Sequence, residues 1–385
     1  MKNRFTILIL MLLLTGGLAS QTVNFRGQLS GLHVSSLSKP YSNVSGLRYI
    51  PELRLSKTTD KGLNFKAEVS FNASSYLEYF HPDSTNGQIK LKPYRIWASV
   101  SGDQAELRIG LQKMNFGSAT MLRPLMWFDK MDARDPLQLT DGVYGALFRY
   151  YFLNNANLWI WGLAGNESVK GWEQFSTWEW KPEFGGRLQI PAGPGEMALS
   201  GHYRQIDPRE AAIDFFIPAS ENPIPEFRVG MDGKWDAIAG LWFETSIEKA
   251  DYSNAFPDLG LGLYSRKVTL GADYTFGIGK GITAMAEQFY YGQSDKILEK
   301  SKGMNFSAVS VSYPLTLFHN LSAMVYFDWI NESWYRFINL QMVYDKWSFY
   351  IMGFWNPDNF QIYQNLDEPN VFAGKGIQLM FVYNH

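Results

Sequence analysis

Cysteine is absent from the 385 residues, which removes disulfide frameworks, thiol nucleophiles and cysteine metal sites together. Histidine is scarce, and His33, His81, His202, His319 and His385 show no metal-ligand spacing. No large excess of either charge exists: 35 basic residues face 37 acidic ones, so a nucleic-acid partner is not expected. After the first twenty residues no uninterrupted apolar run is long enough for a transmembrane helix. A phosphate loop is missing too, because Gly277-Ile278-Gly279-Lys280-Gly281 has the wrong spacing, precedes a strand pattern and reads as a turn. No cofactor site is expected.

The chain is rich in aromatics, with 27 Phe, 21 Tyr and 13 Trp. Residues 1–20 have the form of a secretory signal: Lys2 and Arg4, an apolar core over Phe5–Leu14, and small residues Gly17 and Ala19 before cleavage after Ala19 or Ser20. Removing it leaves a net charge of about −4. Between Leu63 and Ser74 the chain alternates strictly. Asn64, Lys66, Glu68, Ser70, Asn72 and Ser74 share one face; Leu63, Phe65, Ala67, Val69, Phe71 and Ala73 share the other. A tilted strand of that length crosses a hydrocarbon layer. A barrel can be polar on average, because only alternate residues face lipid while aromatics mark its interfaces.

Similar segments recur to the end, joined by alternately short and long connections. The short ones are centred near residues 58–61, 101–103, 153–157, 192–195, 235–237, 277–281, 314–320 and 345–346. Most carry the Gly, Asn, Asp or Pro of tight turns. The long ones fall near 35–43, 81–87, 113–141, 166–177, 207–224, 251–263, 292–302 and 356–374, and Asn331-Glu332 makes a brief one on the same side. This predicts an all-β transmembrane antiparallel barrel of about 16–18 strands, with short periplasmic turns and long extracellular loops. Leu158–Leu163 and Ser307–Tyr313 alternate poorly and leave the count open by two. Residues 21–385 then form one domain. Lys375-Gly376-Ile377-Gln378-Leu379-Met380-Phe381 has the form of the C-terminal signal read by barrel-assembly machinery.

Residues 114–141, MNFGSATMLRPLMWFDKMDARDPLQLTD, differ from every other connection. Water would seldom face so much apolar surface, so segment 113–141 is expected to fold into the barrel and bury Met121, Leu122, Leu125, Met126, Trp127 and Phe128. Charges carried inward must be paired, and both signs are present. The stretch Arg108-Ile109-Gly110-Leu111-Gln112…Gly117, followed by Trp127-Phe128-Asp129 and Asp135-Pro136, resembles the constriction region of porin-like and alginate-export-like outer-membrane families. The likeness covers roughly residues 104–152. It implies a passive channel in which this loop narrows the pore. Arg108, Gln112, Lys113, Arg123, Asp129, Lys130, Asp132, Arg134 and Asp135 are the constriction candidates. The alternative is a packing brace without solute contact.

Phasing places further charges on the inner wall: Arg48, Glu52, Arg54, Lys66, Glu68, Arg149 and Arg187 early, and Glu244, Glu248, Asp273, Glu287 and Asp328 late. The early half is richer in arginine and the late half in acid, so a transverse field is one expectation. Pairing between neighbouring strands is the other. A basic ladder free of acids is not evident. For catalysis the nearest Ser/His candidate is Ser200 and His202, two apart on one strand, and no catalytic set is assigned.

The sequence therefore predicts a bacterial outer-membrane channel for small hydrophilic or oligosaccharide-sized solutes. A plugged barrel docking within a secretion or surface-assembly complex is the alternative, with 207–224 and 356–374 as docking loops, and a lipid-modifying enzyme ranks third. Expected partners are outer-membrane lipid, lipopolysaccharide and the barrel-assembly machinery, with a homo-oligomer possible. Composition is reminiscent of Bacteroidota outer-membrane proteins.

Overall fold

The computed structural model describes residues 21–39, 41–80, 84–209, 222–256, 260–299, 301, 303–358 and 372–385. The proposed signal (1–20) and most of the two proposed docking loops lie outside them.

Eighteen antiparallel strands close into one barrel. In chain order they are β1 (Gln21–Ser36), β2 (Ser42–Thr58), β3 (Asn64–Phe80), β4 (Thr85–Ser101), β5 (Ala105–Gln112), β6 (Val143–Tyr151), β7 (Asn157–Leu163), β8 (Glu183–Ala192) and β9 (Gly195–Ile206). There follow β10 (Ile224–Asp236), β11 (Gly240–Ala250), β12 (Tyr264–Phe276), β13 (Ile282–Ser294), β14 (Gly303–Pro314), β15 (His319–Asp328), β16 (Ser333–Val343), β17 (Trp347–Trp355) and β18 (Lys375–Asn384). Each pairs with its sequence neighbours, and β1 pairs with β18 from Gln28↔Asn384 to Ser36↔Gly376, so no edge remains. Closure also satisfies the backbone hydrogen bonds that a hydrocarbon layer cannot. The poorly alternating segments form β7 and β14, which settles the strand count at its upper bound.

Along β3 the inward Glu68, Ser70, Asn72 and Ser74 are buried, while the outward Phe65, Phe71, Leu77 and Tyr79 are exposed to the surroundings. The outer wall repeats this pattern, as Leu107 and Ile109 on β5 and Phe227 and Val229 on β10 show. Two connections expected to be long are short, because β1–β4 run for 16 or 17 residues and absorb their ends.

Between β3 and β4 the register shifts at Ser70/Phe71: Ser70 faces Arg95 while Phe71 faces Pro93, which leaves Tyr94 unmatched. Pro93 has no N–H for a ladder, and such prolines sit at bulges. The extra residue reverses the parity of β4. Lys90 and Lys92 pair with inward Ser74 and Asn72 before the bulge; after it Arg95 and Ser99 are buried inward.

Candidate functional site

Segment 113–142, between β5 and β6, lies inside the barrel and is fastened to one wall. Its aromatic half packs on β6–β9. Phe116 meets Trp127 at 5.7 Å and Phe128 at 5.8 Å, and Phe128 meets Trp161 at 5.4 Å and His202 at 5.1 Å. Trp127 Nε1 donates to Ser246 Oγ at 3.1 Å. Met121 and Leu122 enter an apolar cluster with Phe289, Phe306, Tyr326 and Phe337 from the far wall.

Backbone amides of this segment are held by acids of that far wall. Glu287 accepts from Thr120 N (2.6 Å), Met121 N (2.9 Å) and Leu122 N (2.7 Å), and also from Trp242 Nε1 (3.1 Å). Glu244 accepts from Ala119 N (2.8 Å) and Leu125 N (2.6 Å). Thr269 Oγ1 donates to Leu122 O, and Ser118 Oγ to Asp232, itself bound to Arg187 at 2.5 Å. Charge-assisted bonds of this kind are the strong ones. Gly117 is required beneath them: its φ is +107° and a Cβ there would lie 2.3 Å from Glu244 Oε2.

A second inward segment, 164–182 between β7 and β8, braces the first. Trp172 Nε1 donates to Arg123 O at 2.7 Å. At Gly171 (φ +45°) a Cβ would meet Met126 O at 2.1 Å. Glu173 bridges Arg204 (3.2 Å) and Arg228 (2.8 Å), and Glu226 binds both arginines. Burial alone would raise the Glu173 carboxyl, but Arg204, Lys170 and Arg228 outweigh it and hold it below the ordinary carboxylate range.

Across from the fastened loop, β1–β5 line a cavity of about 570 Å³. Its charged lining is Arg54, Lys66, Glu68, Arg95, Arg108 and Lys113, with Asn24 and Trp97 beside them. Arg54 bonds Glu52 at 2.7 Å and Glu68 at 3.1 Å, and Arg108 bonds Glu106 at 2.7 Å while lying 4.2 Å over Trp97. Arg95 is turned inward by the bulge and donates to Thr140 O (2.8 Å) and Tyr94 O (2.5 Å), both carbonyls. Burial draws Lys113 below the ordinary lysine range, against the pull of Asp129.

Of the constriction candidates, only Arg108 and Lys113 line this cavity. Gln112 is buried and donates to Gly145 O at 3.1 Å. Arg123 and Asp129 form an enclosed pair at 2.8 Å, Arg134 chelates Asp132, and Asp135 accepts from Leu137 N (2.9 Å) and Leu139 N (3.1 Å). Lys130 N donates to Thr140 Oγ1 at 3.0 Å. These residues shape the loop from within. Among the wall candidates, Arg54, Lys66 and Glu68 reach the cavity. Arg48 donates to Tyr76 OH, Glu52 pairs with Arg54, Arg149 faces Glu106 at 3.6 Å, and Glu248 binds Lys267 at 2.6 Å. Asp328 accepts from Ile330 N (2.9 Å) at the loop rim. Asp273 lies opposite Gly240, near the short-turn end. Glu244, Glu287 and Arg187 point inward but are buried: loop amides bond the two carboxylates, and Asp232 of β10 pairs with Arg187. Arg95, Glu173, Arg204, Glu226 and Asp232 were not singled out from the sequence.

Ser200 and His202 are not partners. His202 Nδ1 accepts from Trp161 Nε1 at 3.1 Å and its Nε2 donates to Glu183 at 3.2 Å, while Ser200 Oγ accepts from Arg187 at 3.1 Å.

No family model matches the sequence, and no curated protein does. Solved structures with the same fold are bacterial outer-membrane porins. OccK2 (OpdF) of Pseudomonas aeruginosa, in complex with glucuronate, aligns at TM-score 0.59 and 9% identity over 95% of this chain and 98% of its own. OccK5 (OpdH) of the same organism aligns at 0.53 and 10% over 95% and 98%. An anion-selective porin from Comamonas acidovorans aligns at 0.49 and 12% over 95% and 100%.

Proposed function

We propose that this chain is a porin-like outer-membrane channel for passive diffusion of small hydrophilic solutes, with a preference for those carrying negative charge. One observation carries the reading. The loop's backbone amides occupy Glu244 and Glu287 on one wall, while the cavity left on the other is lined by five cations and Glu68, with Glu52 and Glu106 bonded to two of those cations, so the cations remain in excess. A solute in the gap meets a wall of net positive charge, and a low-dielectric surround strengthens that field. Sugar acids are the size and charge class that fits, and the glucuronate bound by OccK2 makes a suitable probe. Residues 1–20 serve as the export signal, and β18 is the strand presented to the assembly machinery.

A plugged barrel with a docking role is the second reading, favoured by the packed interior around Met121, Leu122, Phe289 and Tyr326. Planar-bilayer conductance of the refolded mature chain, with and without residues 118–134, separates the two. The channel reading expects steady conductance that rises on deletion. Silence relieved by deletion supports the plug, and silence of both folded proteins defeats the channel.

A further inference from the structure

A polar chain lies on the outside of the barrel, where hydrocarbon is the neighbour. On β1 the outward positions include the exposed Val23, Phe25 and Leu29, and His33 shares their parity, while Ser30 and Val34 are buried inward. His33 Nδ1 is 2.9 Å from Ser45 Oγ on β2, His33 Nε2 is 3.1 Å from Ser35 Oγ, and Ser35 Oγ donates to Asn43 Oδ1 at 2.7 Å. The last bond fixes the rest. Ser35 spends its proton on Asn43, so it accepts from His33 Nε2–H. That leaves the lone pair of Nδ1 to accept from the Ser45 hydroxyl. The order is hydroxyl, base, orienting group, which is the arrangement that activates a serine.

Position adds a second observation. Ser45 and His33 open into a groove of about 560 Å³ on the outer wall, within the size range of ligand sites. Its lining includes Leu47, Leu77, Phe349 and Leu379, with Gly31 and Ser75. The site is near the loop rim, since β1 ends at Ser36 and β2 starts at Ser42. His33, Ser35, Asn43 and Ser45 stand on the outward face beside Leu47, Leu77 and Leu379, so the site lies where the apolar wall meets the loop rim.

We propose that Ser45 and His33 form an esterase site that cleaves acyl esters of membrane lipids, with the acyl chain lying in the groove. Ser45 Oγ attacks the ester carbonyl carbon and its proton passes to His33 Nδ1. The Ser75 hydroxyl can donate to the resulting oxyanion. Collapse breaks the bond from acyl carbon to alcohol oxygen, and His33 returns the proton to that oxygen as the deacylated lipid leaves. Water from the interface then attacks the acyl-Ser45 ester, His33 takes its proton and passes it to Ser45 Oγ, and a fatty acid departs. The activity is separate from passage through the lumen.

The test uses the refolded mature chain, with folding verified by heat-modifiable gel mobility, in vesicles of phosphatidylethanolamine alone or with added lipid A. Free fatty acid is quantified by mass spectrometry, and the protein is treated with a fluorophosphonate whose attachment site is mapped. Expected are fatty-acid release and label on Ser45, with release reduced to background in S45A and by at least about 100-fold in H33A. Release from phosphatidylethanolamine vesicles identifies a phospholipid ester, and release only with lipid A identifies that glycolipid. No release from folded wild-type protein, or undiminished release from folded S45A, overturns the proposal. Label on Ser35 instead of Ser45 overturns the assignment of the nucleophile.

Discussion

Glu287 holds three consecutive backbone N–H groups with its two oxygens, an arrangement that only a carboxylate supplies. An amide in its place keeps one acceptor and turns a nitrogen toward donors. Each bond to a charged group is worth about 1.5–3 kcal/mol, so E287Q should weaken the loop's attachment by about 2–3 kcal/mol. Amide exchange over residues 118–125 should then accelerate roughly 30- to 150-fold, with the strands unchanged. Unaltered exchange would show that packing of Met121 and Leu122, not the carboxylate, holds the loop. Gly117 makes a sharper case. Alanine there combines a φ of +107° with a Cβ 2.3 Å from Glu244 Oε2, so G117A should disturb the Glu244 side of the loop and leave the Glu287 side in place. Exchange resolved at Ala119 and Leu125 against Thr120 and Leu122 reads the difference.

Segment 164–182 is an element whose hold depends on pH. The folded-state pKa of Glu173 is depressed by Arg204, Lys170 and Arg228 against the opposing effect of burial, so its contribution to stability is present above the ordinary carboxylate range. It is lost as pH falls through the lowered value. Limited proteolysis or exchange of residues 166–177 should therefore stay constant from neutral pH to about 5 and rise only below about 4. In E173Q exposure should be high throughout; a pH-dependent rise persisting in E173Q would point to another acid. At this same scale the sequence was most legible. Alternation of Asn64–Ser74 placed β3, and the apolar run Met121–Phe128 placed a loop inside the barrel, because period and burial are local properties. Arg95 was not legible by parity, since the bulge at Tyr94 reverses which face each residue takes, although Pro93 was the available signal. Nor was the Ser45–His33 contact legible. It joins residues twelve apart across the β1–β2 hairpin, and only the register His33↔Ser45 brings them face to face. Glu244 and Glu287 share the inward parity of their strands, but their use as acceptors for loop amides depends on how the loop crosses the lumen.

For the barrel as a whole, charge is divided by what covers it. A count of inward residues gives two mixed walls, and a transverse field follows only if both remain open. Here the fastened loop covers Glu244 and Glu287 on the β11–β13 side, while Arg54, Lys66, Arg95, Arg108 and Lys113 face the remaining cavity with Glu68, and with Glu52 and Glu106 bonded to Arg54 and Arg108. Reversal potentials in a salt gradient should therefore favour anions. The preference should be large in about 0.1 M salt, where screening acts over about 10 Å, and small near 1 M, where it acts over about 3 Å. The double substitution R54E/K66E changes the lining by four units of charge without touching the loop, and should turn the preference toward cations. Deleting residues 118–134 should act in the same direction by a different route, because it uncovers Glu244 and Glu287 while leaving the five cavity-lining cations in place, and the stretch removed carries Arg123, Lys130 and Arg134 against Asp129 and Asp132. Both variants should shift the potential with the same sign, the deletion raising conductance and the double substitution changing it little. A deletion that raised conductance and kept the anion preference would mean that the covered acids do not contribute to the field once exposed. The selectivity would then belong to the β2–β5 wall alone.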